Sequence, residues 1–391
     1  MRVSAETTFQ IYSRNSAQSA GAGRAVHPFR AGVSLHSHTM FSEESLGMIP
    51  RYTARVPYLG SAIRRQEAEY ATRRGSNFDF NRAFWTPPLA PRQAYRLEEK
   101  QIQRRFGLPA LVSLTDHDDM RAAQLLRVLD RFAHAPISTE WTIPFGPTFF
   151  HLGVHNLPAE HARALESEMA AYTRQPSAGL ETLLATLNSF EHVLLVLNHP
   201  LWDEKGIGAD LHRRALGQLL ARYGEFFHAL ELNGLRSSKE NAEVVRLAAE
   251  IDLPAISGGD RHGREPNAIL NLTRAETFAG FVEEIRYERR SHIVFMPQYR
   301  EPLKVRVLRT MADIVREYPE NAPGRRLWNE RVFYREPGTE NIVPLASVWA
   351  DGGPLIVRQF VRAMQLAGKP QILSALRATI GTITAFSEPL P

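Results

Sequence analysis

Cysteine is absent from all 391 residues. Disulfides and thiolate metal sites are thereby excluded, and any metal must be held by imidazole and carboxylate groups. Long apolar runs are missing too: none approaches the roughly 18 to 20 residues that a membrane helix needs. The opening stretch, "MRVSAETTFQIYSRNSAQSAGAGR", lacks the apolar core of a secretory signal. Its arginines, its serines and its single acid, Glu6, leave a transit peptide as the competing reading. A cytoplasmic location is the simpler expectation. There is no G-x-x-x-x-G-K-[ST] loop, and the "GAG" at 21–23 is a lone fragment, so nothing indicates a P-loop.

What remains is an ordinary globular composition, 43% hydrophobic and 23% charged, which can bury a large core. The length fits two to three domains of about 150 residues, or one α/β barrel with additions. The net charge of +5 is unevenly placed. Residues 51–105 hold 12 Lys/Arg against 5 Asp/Glu, a net of +7, which leaves −2 for the rest. Such a local excess suits either an anion-attracting flap or a solvated basic surface.

Short apolar runs alternate with helical patterns across residues 30–296. The strand candidates are "GVSLH" (32–36), "ALVSLTDH" (110–117), "PISTE" (136–140), "TFFHLGVH" (148–155), "HVLLVLNH" (192–199), "HALELN" (228–233) and "PAISGGD" (254–260). Between the later ones, "PAEHARALESEMAAYTR", "GLETLLATLNSFE", "LHRRALGQLLARYG" and "SKENAEVVRLAAEI" repeat apolar residues at three- and four-residue spacing. Strands alternating with helices predict an α/β fold with a parallel sheet, and seven strands favour a distorted barrel over the standard eight. Residues 51–109 are far too long for a normal connection and read as an insert over the active face. Residues 1–30 form an N-terminal segment. Residues 297–391, after "TFAGFVEEIRYERR" and the short strand "HIVFM", read as a C-terminal extension.

Each strand candidate ends in a polar residue able to bind metal or phosphate, and in α/β barrels those ends form the active face. Taken in order, "LHSHTMFSEES", "SLTDHDDM", "STEW", "HLGVHN", "LNHP", "ALELN" and "GGDRH" resemble the PHP family, named for polymerase and histidinol phosphatase domains. The resemblance covers about residues 31–296. It implies a distorted (β/α)7 barrel holding two to three divalent ions, and hydrolysis of a phosphate ester. His36 and His38 would bind the first ion with Asp260, and Glu140 would bridge to the second, completed by His151 and His199. His117 and His262 would hold the third, with Glu43 beside them. The family usually has Asp at that last place, in an S-D-G setting; here "SEES" requires Glu43 to reach further, or Glu44 to substitute.

The donor chemistry fits that implication. Two dications a few ångströms apart repel, and a shared carboxylate offsets the repulsion while neutral imidazoles add binding without surplus charge. An all-nitrogen-and-oxygen set suits Zn, Mn or Fe without choosing among them. Asp116 and Asp118 flank His117; they would orient an imidazole, Asp118 would protonate the leaving group, or Asp118 would cap the helix beginning "DDMRAAQLL". His155 has no evident role. Asn233 ends the sixth strand as a polar group facing the site or as a strand-end cap. Arg261, Arg264, Lys205 and Arg236 are the cations nearest the motifs and the candidates for phosphate.

The leading expectation is a phosphatase acting on a small phosphorylated metabolite or nucleotide. The basic, aromatic insert keeps a phosphodiesterase or nuclease open, and a non-catalytic metal-binding interaction domain is the reading from another class. The sequence does not fix an oligomeric state.

Overall fold

A computed structural model describes residues 8–12, 28–50, 57–75, 77–176, 179–339 and 341–380. The leader reading of residues 1–24, apart from the strand Thr8–Tyr12, lies outside the described residues, as do 51–56 of the basic stretch.

The described residues form a mixed α/β fold with three sheets. One five-stranded sheet runs in the order Thr8–Tyr12, Arg290–Phe295, Ile269–Thr273, Ala31–Ser34, Ala110–Val112. The other runs Ala255–Gly258, Ala229–Asn233, Leu194–Asn198, Thr148–Leu157, Ile137–Phe145. All seven strand candidates are present, and the two sheets meet at two seams. At one, Ser37 bridges Arg261 and Asp260 N donates to His36 O (2.8 Å); at the other, His117 bridges Glu140 and Asp118 N donates to Glu140 O (3.0 Å).

The sheets are not uniformly parallel, which corrects the parallel arrangement expected from the strand–helix alternation. Ile137–Phe145 and Thr148–Leu157 form an antiparallel hairpin, and the second of these also runs antiparallel to Leu194–Asn198. Only Gly146 and Pro147 separate the hairpin strands, and Gly146 takes a left-handed φ of 57°. A parallel crossover needs a dozen residues or more, so the connection alone forces reversal. Ile269–Thr273 is a further strand that the apolar pattern did not reveal; it pairs antiparallel with both Ala31–Ser34 and Arg290–Phe295.

The helices follow the sequence periodicity closely. Leu180–Ser189 buries Leu180, Leu183, Leu184 and Leu187, a three-four-three spacing on one face. Each such leucine contributes about 1.5–3 kcal/mol on leaving water. These side chains join Trp141, Leu152, Leu195 and Leu197 in the main core. No helix among the described residues is long and apolar enough to cross a membrane.

The third sheet is assembled from parts far apart in the chain. Its order is Ile342–Pro344, Val332–Arg335, Ala83–Trp85, Glu44–Ser45, so residues from 51–109 and from 297–391 share one small sheet with the loop after Ala31–Ser34. The rest of the insert supplies the helices Pro57–Arg74 and Pro91–Phe106. The second begins at a proline and stops at Gly107, whose φ of 70° suits glycine.

Candidate metal centre

The strand ends deliver their side chains to one buried pocket. Four overlapping donor sets form there, each with ligand atoms within 4.8 Å of one another: His36, His38 and Asp260; His36, Glu140 and His199; His117, Glu140 and His151; and His38, Glu44, His117 and His262. Glu140 is the hub. Its Oε2 lies 2.9 Å from His36 Nε2, 3.4 Å from His38 Nε2 and 3.3 Å from His117 Nδ1. Its Oε1 lies 3.1 Å from His199 Nε2 and 3.5 Å from His151 Nδ1, and accepts from Asn198 Nδ2 at 3.0 Å.

The backbone is strained where it presents these groups. His36, His199, Asp260 and Asp118 all adopt positive φ, between 28° and 59°. Each such residue costs about 1–3 kcal/mol and persists only when its surroundings fix it.

Electrostatics inside the pocket follow from burial and crowding. Burial alone would raise Glu140, but His36, His151 and His117 overcome it and hold its carboxyl well below the usual range. Asp260 and Glu44 behave alike: desolvation raises them, and the surrounding imidazoles pull them well down. His38 is driven to about 4, first by desolvation and then by His262, so this imidazole is neutral and its lone pair is free to bind a cation.

A second layer orients the first. His36 Nδ1 donates to Glu231 Oε1 at 2.5 Å, and Glu231 Oε2 accepts from His199 N (2.8 Å) and Asn233 Nδ2 (3.0 Å). This turns His36 Nε2 inward, the usual arrangement behind a metal-bound imidazole. Glu231 reaches that place only because residue 258 is glycine, where a Cβ would fall 1.5 Å from its Oε1. The sequence reading overlooked Glu231, although in "ALELN" it shares the strand face of Asn233, two residues on. Trp202 and Glu204 were overlooked as well. Both sit on the loop after His199, folded by Asp203, which accepts from Gly206, Ile207 and Gly208 N. Glu204 Oε2 lies 3.8 Å from His151 Nδ1.

Of the expected residues, His36, His38, His117, Glu140, His151, His199, Asp260 and His262 converge. Glu43 does not: its carboxylate pairs with Arg335, while Glu44, the neighbour weighed as a substitute, lies 3.1 Å from His262 Nε2 and 3.3 Å from His117 Nε2. Asp116 accepts from Thr39 N and from Thr39 Oγ1 (2.6 Å), and burial pushes it up to about 7. Asp118 accepts from Thr142 N at 2.8 Å, and burial pushes it up to about 6. It does not cap the helix Arg121–Arg127; Asp119 accepts from Arg121 N instead. His155 bonds Ser113 Oγ at 2.8 Å and is lowered to about 3 by burial, which makes it a core residue.

Among the cations, only Arg236 faces the cluster. Its guanidinium lies over the Trp202 ring at 3.9 Å, with Nη2 3.6 Å from Asp260 Oδ2, and its buried Nε has no hydrogen-bond partner. Asn233 Nδ2 also reaches Asp260 Oδ2, at 3.2 Å. Arg261 turns away to Glu98 (3.1 Å), and Arg264 pairs with Glu320 on the surface. Lys205 is exposed on the loop that carries Trp202.

No protein-family model and no curated protein sequence matches the chain. Among solved structures it is similar to an amidohydrolase from Chromobacterium violaceum with bound sulfate, at 16% identity and a TM-score of 0.34 over 46% of this chain and 86% of that one. It is also similar to a protein from Bifidobacterium adolescentis provisionally described as a metal-dependent phosphoesterase, at 14% identity and a TM-score of 0.34 over 66% of this chain and 95% of that one. The chemical reading rests on the side chains.

Proposed function

We propose that the chain is a metal-dependent phosphoesterase that hydrolyses a small phosphorylated metabolite or nucleotide in the cytoplasm. One observation carries this reading: His36 Nε2, His38 Nε2 and Glu140 Oε2 are buried and crowd together, the two nitrogens 2.9 Å and 3.4 Å from that oxygen, without the alignment of a good hydrogen bond. Leaving a buried polar atom unsatisfied costs about 1–3 kcal/mol, and a divalent cation would satisfy all three together.

His36, His38 and Asp260 would hold one ion, Glu140, His151 and His199 a second, and Glu44, His117 and His262 a third. The nitrogen and oxygen donors suit Zn, Mn or Fe. When bound, such ions make hydroxide available near neutral pH and neutralise charge on a phosphoryl oxygen. Arg236, pre-set by Trp202, would bind a phosphate oxygen, with Asn233 and Asp260 fixing its height and Lys205 at the rim. Arg261 and Arg264 would take no part. Asp116 and Asp118 would brace the strand ends carrying His38 and Glu140. In this reading the seven strands close through the two bridged seams as a distorted (β/α)7 barrel over residues 31–296, with the insert at 51–109 and the extension at 297–391.

Metal-loaded protein assayed on p-nitrophenyl phosphate and a nucleotide panel tests the proposal. Turnover should vanish with a chelator and fall more than about 100-fold in Glu140→Ala with the fold retained. Absence of turnover under Zn, Mn and Fe alike would overturn it.

A further inference from the structure

The helix Pro91–Phe106 belongs to the insert, yet it reaches behind the metal centre. Its Ile102 is buried against Gly32, so closely that a Cβ there would fall 2.6 Å from Ile102 Cγ2. One turn earlier, Glu98 is fully buried. Its Oε1 accepts from Arg261 Nε at 3.1 Å and Asn267 N at 3.2 Å; its Oε2 accepts from Ser34 Oγ at 3.0 Å and Asn267 N at 3.1 Å.

Those partners belong to the two segments that carry His36, His38, Asp260 and His262. Ser34 lies two residues before His36, and Arg261 sits between Asp260 and His262. The guanidinium spreads the contact further, donating to His38 O at 3.2 Å and Gly263 O at 2.9 Å. Asn267 closes the loop by donating to Leu35 O (2.8 Å) and Ser37 Oγ (3.1 Å). One carboxylate thus ties residues 34–38 to residues 260–267 from the side opposite the pocket.

We propose that Glu98 is a positioning residue: it fixes the spacing between these two segments and so the geometry of the ions held by His36, His38, Asp260 and His262. The inference rests on the metal-dependent reading above. Glu140, His151 and His199 lie on other strands, which Glu98 does not touch. Its loss should weaken some ions and spare another.

Equilibrium dialysis of the full chain against graded free Mn²⁺, with elemental analysis and thermal melting of the metal-free protein, tests this. Wild type is compared with E98Q, with E98D and with the double variant E98Q/R261Q. In E98Q the isotherm should split, one ion keeping its affinity and the rest losing about tenfold to hundredfold. E98D, which keeps the charge but shortens the reach, should show the same split and melt near wild type. The double variant removes both buried charges and should recover melting without recovering the weakened ions. An unchanged isotherm in E98Q and E98D overturns the proposal, and so does recovery of both melting and metal binding in the double variant. A wild-type chain that binds no Mn²⁺, and no Zn or Fe when these replace it, overturns the metal reading itself, and this inference with it.

Discussion

At the scale of single residues, the acid that completes the outermost donor set differs by one position from the one first expected. Glu44 points to His117 and His262, and Glu43 points outward to Arg335. Glu44→Gln should therefore lower the bound metal by about one ion per chain, while Glu43→Gln leaves the ratio unchanged; elemental analysis after gel filtration checks both. His36, His117, His199 and Asp260 were legible because each ends an apolar run, with His38 and His262 two residues beyond, whereas His151 lies near the start of its strand. The choice between Glu43 and Glu44 was not, because it depends on register. Glu44 is placed by pairing with Trp85, whose own strand is held by Val332–Arg335, about 250 residues further on. Arg261 failed as a phosphate ligand because it turns away from the pocket between Asp260 and His262, to pair with the buried Glu98.

At the scale of elements, helix faces were readable from spacing, and strand direction was readable only where the connection length was weighed. Glu231 holds its place beside Ala255–Gly258 because residue 258 is glycine. Gly258→Ala should displace Glu231, destabilise the fold by about 1–3 kcal/mol and weaken metal binding, as denaturant unfolding and dialysis would show. A separate prediction concerns pH. His228 accepts from Leu195 N at 2.9 Å, where Leu194–Asn198 runs beside the start of Ala229–Asn233, and bonds Asn188 Oδ1 at 2.8 Å. Desolvation, then Arg286, lowers it to about 3. The unfolded chain takes up this proton near 6.5 and the folded chain only near 3, so the stability is complete above 6.5 and drains away as pH falls. Between pH 7 and pH 5 that loss is about 2 kcal/mol. His228→Asn keeps an acceptor for Leu195 N and cannot titrate, so its stability measured in urea should fall by about 2 kcal/mol less over the same interval.

For the whole molecule, residues 51–109 and 297–391, which read as additions in sequence, are interlocked in structure. Val332–Arg335 pairs with Ala83–Trp85, Arg325 donates to Thr86 Oγ1 at 2.9 Å, and Arg306 donates to Gly234 O and to Arg236 O. The Trp85 ring lies 5.8 Å from that of His262, so the small sheet also walls the pocket. These pairings join residues hundreds of positions apart, which no local pattern encodes. A chain cut after residue 296 should lose the proposed phosphoesterase activity and the ion proposed at Glu44, measurable by turnover and metal content on any folded fraction; full activity in that truncation would show the sheet to be dispensable.

The most direct test of the central claim is the metal-to-chain ratio of purified full-length protein, by elemental analysis after incubation with Zn, Mn or Fe and removal of free ions. The pocket of imidazoles and carboxylates around Glu140 predicts two to three divalent ions per chain, falling sharply in Glu140→Ala. A ratio near zero with every metal, or one that Glu140→Ala leaves unchanged, would contradict it.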